Sequence, residues 1–213
     1  MKKRVISLLL ALVLALGLLP TAAVAAEPDV SKLTEFSKDA DISAIKEFKI
    51  SSADSLKALA EAVKADDGKG TYNMKGITFY LADDIELSGT WEPISNVTYP
   101  ADAFAGTFDG NGHTISGLSI NNAAVNQGLF GFVNGATIKE LKVVGDVFSS
   151  KSYVGGIVGK MQSGTIDSCS FTGKVKSQAD YAGGIVGGLS GTCSILNCIN
   201  RADVTAKYAG GIL

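Results

Sequence analysis

Tyr153-Val154-Gly155-Gly156-Ile157-Val158-Gly159 returns as Tyr181-Ala182-Gly183-Gly184-Ile185-Val186-Gly187, and again as Tyr208-Ala209-Gly210-Gly211-Ile212-Leu213. The tyrosines are 28 and then 27 residues apart. A degenerate copy, Gly128-Leu129-Phe130-Gly131, lies 28 residues before Gly156 to Gly159. A second pattern follows in step. Ile138, Leu141, Val143, Gly145 and Val147 match Ile166, Cys169, Phe171, Gly173 and Val175, and Ile195, Cys198 and Val204 take the same places after one inserted residue. A fixed period of this length marks a repeat architecture, in which each unit buries its apolar face only against its neighbours.

Composition decides between helical and stranded units. The copies are rich in Gly, Val, Ile, Thr and Ser and alternate as in Thr165-Ile166-Asp167-Ser168-Cys169-Ser170-Phe171, which is strand chemistry. Glycines so frequent would each cost a helix about 1 kcal/mol. A unit near 28 residues with short strands and tight turns fits one coil of a parallel β-helix, an all-β solenoid whose coils pair at about 4.8 Å. Propeller blades need longer repeats, typically about 40 residues or more. Ile157-Val158 and Ile185-Val186 place apolar residues at adjacent positions, so either both faces are covered there or the chain bends.

Upstream, Ser51 and Asp54 have capping-box spacing, and Leu56, Leu59, Ala60 and Val63 form one apolar helical stripe that Gly68 would end. Gly76 to Leu81 and Ile85 to Leu87 read as two short strands joined by a turn at Asp83-Asp84, and Trp91-Glu92-Pro93-Ile94 closes the region. The helix is placed to cover the N-terminal end of a sheet stack, which would otherwise expose unpaired backbone. Residues 27–50 are polar and without period, and read as a linker. Before them, Met1-Lys2-Lys3-Arg4, an apolar run from Val5 to Leu19, Pro20 and the small residues Ala22 to Ala26 have the form of a cleaved secretory signal. The apolar run is short of the ~20 residues a membrane-spanning helix needs, and no second stretch is long enough. The expected organisation is a signal peptide over 1–26, a linker over 27–50, a capping helix with lead-in strands over 51–100, and β-helix repeats over 101–213.

These residues resemble a known family. Gly128-Leu129-Phe130-Gly131 and the Gly-Ile-Val-Gly copies are similar to the GLUG motif of bacterial surface repeat proteins. Phe104 to Ile120, with Gly106-Thr107-Phe108-Asp109-Gly110-Asn111-Gly112-His113, resembles the segment that precedes such repeats. The resemblance covers roughly residues 51–213. It implies a right-handed β-helix exported to the cell surface, and no particular reaction. The third copy stops at Leu213, before its closing glycine, and the expectation is the N-terminal portion of a longer protein, with self-association through the last coil open to it.

The whole chain has 19 basic and 21 acidic residues; without Lys2, Lys3 and Arg4 the count is 16 to 21, a net charge of −5. That balance argues against a nucleic-acid or anionic-membrane partner. Tyr153, Tyr181 and Tyr208 would stack from coil to coil. They read first as a stabilising ladder and second as a strip for sugar rings. Cys169 and Cys198 occupy equivalent positions, close enough for a disulfide, but read first as small core fillers. Asp109 and Asn111, or Asp83 and Asp84, offer oxygens to calcium without the remaining ligands of a dedicated loop. His113 has no nucleophile or orienting acid placed near it by any motif. No cofactor, metal or catalytic set is therefore expected. The expected function is a non-catalytic exported scaffold, adhesin-like, with host or cell-wall glycans or proteins as partners. The competing function is a carbohydrate-active lyase or hydrolase, or a carbohydrate-binding module. A lyase needs a base, and Arg201 is the sole arginine after Arg4; a hydrolase needs two facing carboxylates, and Asp167 and Asp180 align with Lys139 and Ser152 instead.

Overall fold

The computed structural model describes residues 28–64 and 72–213. The signal peptide expected over residues 1–26 and the helix-ending Gly68 lie outside the described residues.

The chain opens with a single 3-10 turn, Val30–Lys32, and two short strands, β1 (Thr34–Glu35) and β2 (Glu47–Ile50). The linker expected over 27–50 is thus partly a rung of the sheet. Phe36 is the reason: it is buried and packs edge-on against Phe48 and Phe79, with ring centroids 5.3 and 5.1 Å away. The backbone follows, with Phe36 N–H donating to Lys49 O at 2.9 Å.

Helix α1 (Ala53–Ala62) sits between β2 and β3 (Thr78–Leu81). Its capping box is Ser52 with Ser55, one residue later than the Ser51–Asp54 pair expected. Ser51 is engaged elsewhere, donating from both its N–H and its hydroxyl to the Glu35 carboxylate. The expected stripe holds: Leu56, Leu59, Ala60 and Val63 all join the core.

β4 (Ile85–Glu86), β5 (Thr107–Asp109), β6 (Thr114–Asn122), β7 (Phe130–Lys139) and β8 (Lys142–Ser149) follow, then β9 (Val154–Gly155), β10 (Val158–Asp167) and β11 (Ser170–Ser177). The last are β12 (Tyr181–Gly183), β13 (Cys193–Leu196), β14 (Ile199–Thr205) and β15 (Tyr208–Gly210). They form three parallel sheets, of order β1-β2-β3-β5-β7-β10-β13, β14-β11-β8-β6-β4 and β15-β12-β9. From β4 on the chain alternates between the second and long sheets, adds the third sheet from β9, and moves up one rung per coil, so the fold is the expected β-solenoid. Strands β3 and β4 do not pair with each other: each pairs in parallel with a later coil.

The repeat alignment is the register of the sheets. Ile138, Ile166 and Ile195 are Cα partners, as are Val143 with Phe171, Gly145 with Gly173, and Val147, Val175 and Val204. The inward ladder Phe48-Phe79-Phe108-Ile138-Ile166-Ile195 runs through six rungs of the long sheet. Its first five members are fully buried. Each such side chain contributes roughly 1.5–3 kcal/mol of burial as an upper figure. Ile157, Val158, Ile185 and Val186 are all buried too, which settles their adjacency: the chain turns a corner and both faces are covered.

A left-handed residue makes the corner between the long sheet and the second sheet. Asn111, Glu140, Ser168 and Asn197 have φ of 49°, 51°, 54° and 50°. Asn tolerates this region through its short polar side chain, whereas Glu140 and Ser168 are held there by the rungs on either side. In the last three coils the residue after this corner turns inward, so Leu141, Cys169 and Cys198 become one ladder.

Candidate functional site

A cleft of about 740 Å³ opens beside the third sheet, lined by Tyr153, Tyr181, Tyr208, Gly188, Leu189 and Lys207 among others. Tyr181 and Tyr208 are Cα partners, and all three rings stack. Tyr153 and Tyr181 are 5.5 Å apart at 9°, and Tyr181 and Tyr208 are 5.4 Å apart at 24°. Gly188 makes room for the first ring: a Cβ there would fall 2.4 Å from Tyr153 Cδ1. Cations complete the array. Lys160 Nζ lies 5.6 Å from the Tyr153 centroid and 5.0 Å from that of Phe132, and Lys207 Nζ lies 5.0 Å from Tyr208. A sugar packs on the face of an aromatic ring. Both faces of Tyr181 are occupied by its neighbours, so the geometry favours a stabilising stack over a sugar strip.

The repeat glycines serve close packing next to this array. A Cβ at Gly156 would lie 2.2 Å from Phe171 Cγ, and one at Gly184 would lie 2.2 Å from Asn200 Cγ. Phe171 and Asn200 are Cα partners. In these two coils a glycine of the motif thus seats one side chain of the second sheet. In the earlier copy, Gly128-Leu129-Phe130-Gly131, the first glycine faces backbone instead, a Cβ there falling 2.8 Å from Gly155 O, and Phe130 pairs with Val158. Ile212 O accepts the backbone N–H groups of Ile185 and Val186. Gly159 and Gly187 face backbone of the preceding coil at 2.3 and 2.4 Å, while a Cβ at Gly211 would meet nothing.

Two of the carboxylates considered for calcium, Asp109 and Asp84, have other partners. Lys139 Nζ lies 2.7 Å from Asp109 Oδ2, and Asp109 Oδ1 accepts from Asn111 N–H at 2.9 Å. Asp84 Oδ1 accepts the Thr114 N–H at 2.8 Å, which holds that carboxyl below the ordinary range. The same oxygen lies 3.3 Å from His113 Nδ1, so the structure supplies an orienting acid that no sequence motif announced. Among the described residues no three His, Cys, Asp or Glu side chains gather as metal ligands. No described helix is long and apolar enough to cross a membrane.

Cys169, Cys193 and Cys198 are free thiols. Cys169 is buried and donates toward Asp167 O at 3.2 Å. The neighbouring Cys198 and then burial push the Cys169 thiol up, and the neighbouring Cys169 draws Cys198 down to about 7. Cys193 stands apart, donating to Ser190 O at 3.2 Å, and partial burial pushes its thiol up.

Sequence reading missed the outward rows. In the long sheet, Glu35, Lys49, Tyr80, Asp109, Lys139 and Asp167 succeed one another on adjacent rungs. In the second sheet the row is Ser119, Asp146, Lys174 and Asp203. Unlike charges face each other on neighbouring strands, the stabilising arrangement. The signal was present in the repeat offset that sets Lys139 against Asp167.

Comparison with known proteins agrees with the repeat. Residues 151–176 match the GLUG motif, and they span one coil from the approach to Tyr153 through β10 and most of β11. Over 74 residues the chain is 39% identical to halomucin of Haloquadratum walsbyi (strain DSM 16790 / HBSQ001), covering 30% of this chain and 1% of that protein. The chain therefore spans about one hundredth of the length of the curated relative it matches. A crystal structure from Bacteroides ovatus, of a protein provisionally assigned as an immunoglobulin A1 protease, aligns over 84% of this chain and 73% of that one, with a TM-score of 0.33 and 16% identity. At that score the likeness bears on neither fold nor chemistry.

Proposed function

We propose that this GLUG-motif solenoid is an exported, non-catalytic scaffold that holds a regular surface outside the cell. The observation that carries the reading is the rung-by-rung pairing of successive coils in the long sheet. One inward ladder runs from Phe48 to Ile195, and outward rows of alternating charge run beside it, so successive coils make a stiff rod with repeated surface groups. A basic start, an apolar run and small residues before Glu27 support export. The likeness to halomucin over 74 residues is consistent with a role outside the cell. Regular solenoid faces suit adhesion to glycans or proteins, and the cleft beside the tyrosine stack has room for part of such a partner.

The test is fractionation of producing cells with intact-mass measurement. The expected result is the protein in the envelope or the medium with its leader removed. Cytoplasmic protein that retains Met1 to Ala26 overturns export. Release of unsaturated or reducing ends from a panel of polyuronides by the purified protein overturns the non-catalytic part.

A further inference from the structure

Two corners of adjacent coils bring a pair of thiols together. Asp167 is the Cα partner of Leu196 on one side of the corner, and Ser170 is the partner of Ile199 on the other. Register on both flanks therefore sets Cys169 against Cys198. The backbone closes the match, with Ser168 N–H donating to Leu196 O at 3.0 Å and Ile199 N–H to Cys169 O at 2.9 Å. Neighbouring strands lie about 4.8 Å apart, within the Cα separation a disulfide spans. The two side chains are posed alike one coil apart, Cys169 Sγ 3.7 Å from Ile138 O and Cys198 Sγ 3.8 Å from Ile166 O. Cys193 has no such neighbour, because its rung partner is Gly164.

We propose that Cys169 and Cys198 form a coil-to-coil disulfide by exchange with a low-molecular-weight disulfide, and that Cys198 is the attacking sulfur. Cys198 is half-buried at the last corner, whereas Cys169 lies beneath it in the core. The Cys198 thiolate attacks one sulfur of the small disulfide, whose S–S bond breaks and releases one thiolate. Cys169 then gives its proton to a leaving thiolate, and its sulfur displaces the remaining small thiol from Cys198. Two cysteine thiols are oxidised and one small disulfide is reduced to two thiols. The favoured thiolate at Cys198 and the retained proton on Cys169 suit this order of attack.

The bridge stands apart from the scaffold reading. Turnover of a polyuronide would end that reading and leave the bridge untouched, and a missing bridge would leave the scaffold intact.

The experiment uses the full chain with Cys193→Ser, incubated with oxidised glutathione, acid-quenched, denatured and alkylated. The expected result is a fall from two alkylatable thiols to none, and an unreduced mass lower by two hydrogens. In the unsubstituted chain, run in parallel, one thiol remains and peptide mapping places it at Cys193. The proposal is overturned if two thiols persist in the variant, if a glutathione adduct on Cys198 is never displaced, or if the remaining thiol in the unsubstituted chain is Cys169 or Cys198.

Discussion

Lys139 reaches one rung back to Asp109, with Nζ 2.7 Å from Oδ2, and ties two coils of the long sheet together. The carboxylate is almost wholly buried, and its other oxygen is filled by the Asn111 N–H. The pair differs from the surface pair of Lys32 and Asp29, whose side chains are 80% and 53% exposed.

Removing the cation alone strands a buried charge. Lys139→Ala is expected to cost about 2 kcal/mol, below the usual figure for a fully buried pair because the lysine is partly exposed. Lys32→Ala is expected to cost less than about 0.5 kcal/mol. Urea unfolding of both variants checks the contrast, and equal losses would mean that Asp109 finds water in place of Lys139.

Not all glycines of the repeat are equivalent. Gly173 has φ of 137°, and a Cβ on it would fall 1.8 Å from Gly145 O, a backbone atom that cannot step aside without moving its rung. Gly173→Ala is expected to cost more than about 3 kcal/mol or to prevent folding, at the severe end for a point substitution. Gly211→Ala meets nothing within 4 Å and is expected to stay within about 0.5 kcal/mol of the parent. Thermal melts of the two, side by side, report whether crowding or mere motif membership sets the need for glycine.

The coil register was legible because inward residues recur at a near-constant offset: Ile138, Ile166 and Ile195 align by eye and pair in space. The first rungs were not. Thr34, Glu35 and Glu47 to Ile50 have no preceding copy of matching length, and β1 holds only two residues, too few for alternation to show. Phe36 is buried by Phe48 and Phe79, a tertiary contact with no local signature. The helix cap slipped by one residue because Ser51 and Ser52 are both good caps, and only the distant Glu35 decides between them. At the candidate site, the tyrosine spacing foretold the stack. The Asp109–Lys139 tie stayed hidden because Asp109 precedes the first clear copy, and its corner carries two extra residues compared with the later ones.

Tyr181 is the middle ring of three, and its loss removes two stacked pairs. Tyr181→Ala is expected to cost about 1–2 kcal/mol, and Tyr208→Ala about half as much, since each aromatic pair adds of order 0.5–1.5 kcal/mol beyond area. Calorimetry measures both. With all three tyrosines changed to Ala, lost glycan binding without a change in melting temperature would return the ladder to the role of a sugar platform.

A bridge between Cys169 and Cys198 closes a loop of about 30 residues, for which chain entropy gives roughly 3.5 kcal/mol. Oxidised Cys193→Ser protein is expected to gain about that much over its reduced form in guanidinium unfolding. The gain should vanish in Cys193→Ser/Cys198→Ala. A smaller gain would place strain in the corner residues Ser168 and Asn197.

The two outer thiols should separate by pH. Cys198 is drawn down to about 7 chiefly by the neighbouring Cys169 thiol, with backbone N–H help and against burial and the nearby Asp167 charge. Burial raises Cys193 instead. Nucleophilic attack follows the thiolate fraction. Alkylation of reduced, native protein by iodoacetamide is therefore expected to rise at Cys198 with a midpoint near pH 7, while Cys193 stays slow until well above it. Cys169→Ala removes that neighbour and should move the Cys198 midpoint up toward an ordinary thiol, lowering its rate at pH 7 by more than tenfold. Site-resolved mass spectrometry reads both cysteines in one digest once chymotrypsin has cut after Leu196. A Cys198 profile that ignores the Cys169 substitution would assign its reactivity to exposure at the last coil rather than to the paired thiol.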